Sequence, residues 1–153
     1  MTTQVDFYLL GNVDQTGKLK YACRIAQKAV KQGLKVFMQT ENSEQCQHLD
    51  TLLWTFSQGS FVPHAVVNER PENWENFPVQ ISNAAPLSEP AHLLISLTAD
   101  PPNPHTPFKR IADLITDDPA EKQAGRNRFR YYRQQGIEPD THLIAQGRSG
   151  GHQ

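Results

Sequence analysis

The chain has 153 residues, close to the ~150 of one ordinary domain and enough to bury a core without disulfides or metals. Lys plus Arg total 15 against 16 Asp plus Glu, a formal net charge of −1, which excludes a generic polyanion binder and confines any basic site to a local patch. Mean hydropathy is −0.60 and no apolar run approaches the ~20 residues of a membrane helix. The start, MTTQVDFYLL, has neither a basic segment nor a small-residue cleavage site, so no signal peptide is expected. Two cysteines, Cys23 and Cys46, fit a reducing cytoplasm and have no metal-ligand spacing.

The first half alternates strand and helix signals. Val5–Leu10 (VDFYLL) reads as a strand ended by Gly11. Lys18–Gln32 places Leu19, Ala22, Cys23, Ala26, Ala29 and Val30 on one helical face, with Gly33 as a left-handed stop. Leu34–Gln39 is a second strand. Asn42 and Gln45 resemble a capping box, and the helix after them aligns Cys46, Leu49, Leu53 and Phe56. Strand–helix–strand–helix predicts a parallel α/β sheet with right-handed crossovers. Phe61–Val67 and Pro78–Ser82 predict short strands among loops. His92–Thr98 (HLLISLT) predicts a buried central strand. Asp100–Pro107, with four prolines, predicts a loop, and Phe108–Thr116 another strand. Asp118, Pro119 and Glu121 start a last helix that runs to about Gln135, and Gly136 stops it. The tail from Glu138 is expected to fray. The expected organisation is one domain over 1–137 and a flexible tail over 138–153. The fold class is a Rossmann-like three-layer sandwich, mostly parallel, with helices on both faces and no nucleotide site.

Catalytic patterns are weak. The Gly11–Lys18 loop has five residues between its glycines, Leu19 where a phosphate loop carries Ser or Thr, and Asp14 where phosphates would sit. A nucleotide-binding enzyme using this loop stays as an alternative, against a plain strand-to-helix turn. The six histidines show no helical i, i+4 ligand pair, so no metal and no cofactor are expected. Cys23 and Cys46 lie on apolar stripes and read as packing residues.

Two surfaces invite binding. On the last helix, Ala120, Ala124 and Tyr131 share the side expected to be buried. Lys122, Arg126, Phe129, Arg130 and Arg133 gather on the opposite side, so cations surround one aromatic ring. A solvated face accounts for the last arginines through the helix dipole. An acidic peptide ending in an aromatic residue, or single-stranded nucleic acid, accounts for the ring as well. The second surface is Trp54, off the apolar stripe of its helix and close to Phe61, Val62 and Pro63. It is either a protein interface or a ring covered by the following loop.

Taken together, Phe7-Tyr8-Leu9-Leu10, Trp54, Ser60–His64, Leu94–Leu97 and the closing run Arg126, Arg128, Phe129, Arg130, Tyr132, Arg133, Gly136 resemble the chi subunit of bacterial DNA polymerase III holoenzyme. The similarity spans about Val5 to Ile137. It implies a non-catalytic adaptor of the clamp-loader complex, tethered by the psi subunit and bound to the acidic, phenylalanine-terminated tail of single-stranded-DNA-binding protein. It also implies contact with DNA that is indirect or weak, no membrane, and a place at cytoplasmic replication forks. By the same resemblance, Lys122, Arg126 and Arg130 match tail-binding positions. Phe129 stands where the family usually has Tyr, and Ile115 matches an aliphatic wall. Trp54 and Phe61, with Val62 and Pro63 beside it, match the psi side. The 64–78 loop and the tail after Gly136 depart from the family pattern.

Overall fold

In the computed structural model, residues 3–55, 64–66, 78–82, 92–101 and 109–144 are described. The elements follow the alternation read from the sequence. They are β1 (Gln4–Gly11), α1 (Gln15–Lys31), β2 (Val36–Gln39), α2 (Ser43–Thr55), β3 (His64–Val66), β4 (Val79–Ser82), β5 (Leu93–Ser96), β6 (Arg110–Thr116), α3 (Pro119–Gln134) and β7 (Asp140–Leu143). The strands form one seven-stranded sheet in the order β3-β4-β2-β5-β6-β1-β7. Each pairing is parallel. Among the described residues no helix is long and apolar enough to cross a membrane.

Both faces are covered, so the central strands are apolar on both sides. Leu93–Ser96 is buried at every position. On one face α1 and α2 bury Leu19, Ala22, Cys23, Ala26, Cys46, Leu49 and Leu53 with Met38, Ile81 and Ile95. Burial pushes the Cys23 thiol up to about 12, as expected of an inert packing residue. On the other face Val5, Phe7, Phe37, Leu94, Ile111 and Ile115 pack with Tyr132 of α3 and Ile137 beyond it.

Three details differ from expectation: the start of α1, the partner of the Gln45 side chain at the α2 cap, and the tail. Helix α1 starts one turn earlier than Lys18, because the Asp14 side chain caps it by accepting from the Gly17 amide at 2.8 Å. The α2 cap forms as read, with the Gln45 amide donating to Asn42 Oδ1 at 2.8 Å. The returning Gln45 side chain, however, takes the Glu41 amide. Phe56 lies outside the described residues. The third difference is the tail. Asp140–Leu143 is not frayed but pairs in parallel with Asp6–Leu9 of β1. Its residues are exposed, so apolar patterning gives no sign of it. The strand is held by ladder bonds and by His142, which donates to Asp6 at 3.0 Å and stacks on the Tyr8 ring with centroids 5.0 Å apart.

Candidate functional site

In open parallel sheets the ligand crevice lies beyond the carboxyl ends of the strands, where consecutive crossovers diverge to opposite faces. Here that place is between β1, which feeds α1, and β6, which feeds α3. The chain fills it with its own side chains. The Asp117 amide donates to the Gly11 carbonyl at 2.8 Å. Glu121, at the third position of α3, accepts from Lys18 at 3.1 Å, from the Thr116 amide at 3.2 Å and from the Gln15 amide group. Lys18 is nearly buried, its side chain 8% exposed. Burial opposes the charged form of Glu121, but the Lys18 charge and these donors outweigh it and hold the carboxyl below its usual value. The lysine that a nucleotide site would need is therefore committed to Glu121. Asp14 already occupies the Gly17 amide in the first turn of α1. This geometry argues against a nucleotide enzyme built on Gly11–Lys18.

The second candidate is α3. Asp118 caps it by accepting from the Glu121 amide at 3.1 Å, with Pro119 in the first turn. Its buried stripe is Gly125, Arg128 and Tyr132. That corrects the face expected from the sequence: Ala120 is exposed, and Ala124 and Tyr131 are only half-buried. The helix is turned by about 100°, one residue's rotation. Two features set this orientation. Gly125 lies against Ile115, where a Cβ would come within 2.4 Å of Ile115 Cδ1, so the missing side chain permits the close approach. Arg128 passes under the helix to Asp113 of β6, making two bonds of 2.8 and 2.7 Å, and donates to the Ala99 carbonyl at 2.9 Å. Burial opposes the Arg128 cation, but Asp113 outweighs this and holds its pKa above the ordinary value.

The rotation decides what the basic face can do. Phe129 is not an exposed ring: it is half-buried on the flank, its centroid 5.4 Å from that of Phe7, which in turn meets Tyr132 edge-on at 5.9 Å. Leu9 is partly buried against the same cluster. Lys122, Arg126, Arg130 and Arg133 are exposed. Arg133 lies 3.5 Å from Glu138, an exposed pair, and Arg130 reaches Asn127 at 3.4 Å. Among the described residues Lys122, Arg126 and Arg130 have no carboxylate partner. Ile115 is buried beneath Gly125 and shares the Phe7 cluster with Phe129. The structure thus brings Phe129, Ile115 and the four cations to one helix and the strand below it. Of the other surface, Trp54 falls on α2. Its side chain, with Phe61, Val62 and Pro63, lies outside the described residues. Asp113 and Arg128, which orient the site, were not read from the sequence as a pair; a carboxylate inside the apolar run of β6 was the available signal.

These features define a class: a parallel α/β domain covered on both faces, its crevice at the strand ends closed from within, with an outer helix on which Lys122, Arg126 and Arg130 have no carboxylate partner among the described residues. Within that class the comparisons are specific. The family model described as DNA polymerase III chi subunit, HolC, matches residues 1–140. The DNA polymerase III subunit chi of Pseudomonas aeruginosa is 37% identical over 142 residues, 93% of this chain and 97% of the relative. That of Escherichia coli is 31% identical over 140 residues, 88% and 94% of the two chains. That of Haemophilus influenzae is 28% identical over 145 residues, 94% and 99%. The chain belongs to the DNA polymerase III chi subunit family and is a replication accessory subunit.

Proposed function

We propose that the chain is a non-catalytic adaptor linking the clamp loader, through the psi subunit, to the acidic tail of single-stranded-DNA-binding protein at cytoplasmic replication forks. The observation that carries the tail reading is the pairing of unneutralised Lys122, Arg126 and Arg130 with Phe129, a ring seated on Phe7. A tail rich in carboxylates and ending in phenylalanine satisfies both halves: its carboxylates meet the cations, and its ring packs beside Phe129, Leu9 and Ile115. Exposed ion pairs contribute about 0.2–1 kcal/mol each, and burying a terminal phenylalanine about 1.5–3 kcal/mol. The ring therefore outweighs any single ion pair, while the cations supply salt dependence.

Fluorescence anisotropy with an acidic peptide ending in Asp-Phe tests this. Arg126→Ala should weaken binding about two- to fivefold, and removing the terminal Phe tenfold or more. Binding indifferent to both changes would sink the tail site. An oligonucleotide that binds α3 with the same Arg126 dependence would favour the reading of α3 as a nucleic-acid face.

The psi contact is assigned to Trp54, Phe61, Val62 and Pro63, supported by the family membership and by the position of Trp54 on α2. Trp54→Ala should lower co-purification of psi by tenfold or more, as expected of an aromatic anchor, while leaving tail binding unchanged. Undiminished psi capture would place that interface elsewhere.

A further inference from the structure

Away from α3, on the opposite face of the sheet, a groove of about 960 Å³ runs between α1 and strands β1, β6 and β7. Its α1 wall carries Lys20, Arg24, Lys28 and Lys31, all exposed, and Arg110 of β6 also lines it. Helix α1 contains no Asp or Glu. Among the described residues none of the four α1 cations pairs with a carboxylate. They recur about once per turn and span about 16 Å along the helix axis. The carboxylate among the lining residues, Asp6, is buried and already held by Arg110 at 2.9 Å and by His142 at 3.0 Å, so it offers no repulsion to an anion. A solvated helix face accounts for a row of cations. It does not account for what lies beside them: the half-exposed ring of Tyr21 stands 6.0 Å from Tyr8, and Tyr8 stacks on the exposed ring of His142.

We infer that this groove is a binding track for single-stranded nucleic acid, distinct from the tail site on α3. A strand carries anions at regular intervals along one side and flat bases along the other. A row of cations beside a row of rings is complementary to that repeat. An acidic peptide would satisfy the cations alone; beside an aliphatic lining that includes Leu10, Ile25, Leu34 and Leu93, the Tyr8 and Tyr21 rings give the groove flat surfaces on which bases can stack.

The test uses the full chain and a fluorescein-labelled oligothymidylate of about 16 nucleotides, the upper end of single-fold site sizes, at low salt. Lys20, Arg24 and Lys28 are changed together to Gln, solvent-facing substitutions that keep helix propensity. Binding should weaken about tenfold or more, and the slope of log affinity against log salt should shrink by about 2. Tyr21→Leu should weaken binding about fivefold while leaving the salt slope intact. Arg126→Ala should leave oligonucleotide binding unchanged, and the triple variant should still bind the Asp-Phe peptide, so each site stands or falls alone. The inference is overturned by an oligonucleotide that does not bind wild type, by binding the triple variant retains, or by polyglutamate that displaces the strand at equal charge concentration.

Discussion

Arg128→Ala and Asp113→Ala should each cost about 3–5 kcal/mol, because either change strands a charge in the interior. The two side chains are 5% and 0% exposed and joined by a bidentate pair. Against a typical domain stability of about 5–15 kcal/mol, this is enough to leave much of the chain unfolded at moderate temperature. Urea denaturation of the single variants measures it. The double variant Asp113→Leu/Arg128→Met removes both charges and should recover a large part of the loss, since replacing a buried pair by apolar side chains is often near neutral. Full recovery is not expected, because the Ala99 carbonyl loses the Arg128 donor. A double variant as unstable as either single would show that the pair adds net stability rather than orientation. A distinctive consequence concerns binding. With the pair gone, α3 is held down mainly by Tyr132 and Gly125, and its rotation is less fixed. The refolded double variant should therefore bind the Asp-Phe peptide more weakly, although neither residue is among the exposed cations.

That pair also shows where sequence periodicity stops being informative. Strands and helices with a clean apolar stripe, such as α1, β5 and the Cys46–Leu49–Leu53 stripe of α2, were legible because burial follows the residue period. On α3 the same logic buries Ala120, Ala124 and Tyr131 and gives Arg128 no place on either face, which turns the helix by one residue. An arginine in a basic run gives no local sign that its partner lies 15 positions back in β6. Strand β7 escaped for a related reason: the contacts of His142 with Asp6 and Tyr8 bridge opposite ends of the chain, and an exposed edge strand needs no apolar pattern. The cations of α1 were visible in the sequence, but Tyr8 and His142 come to them only through the sheet order β6-β1-β7. The residues of the proposed tail site share one helix and so group together in the sequence, apart from Ile115, which the family resemblance supplied.

Glu121 gives the second large effect. Glu121→Ala should cost about 2–3 kcal/mol: it orphans Lys18, whose side chain is 8% exposed, together with the Thr116 amide. The value falls below that of the Asp113 pair because Glu121 itself keeps 20% of its side chain in solvent. The carboxyl is held below its ordinary 4.5. Its stabilisation is therefore fully present above that value and lost as pH falls through the lower folded one. Asp6 has the same sign: burial opposes its charge, but His142, Arg110 and Gln4 outweigh it and hold the carboxyl below 3.8. Wild-type stability should accordingly decline as the pH falls below about 4.5, and the Glu121→Ala variant, which has lost one of the two groups, should show a shallower decline from a lower plateau. Thermal melts of the two proteins across the acid range separate the cases. Parallel acid slopes would mean that Glu121 does not carry a depressed pKa in solution, and that the contacts closing the crevice between β1 and β6 are weaker than their geometry implies.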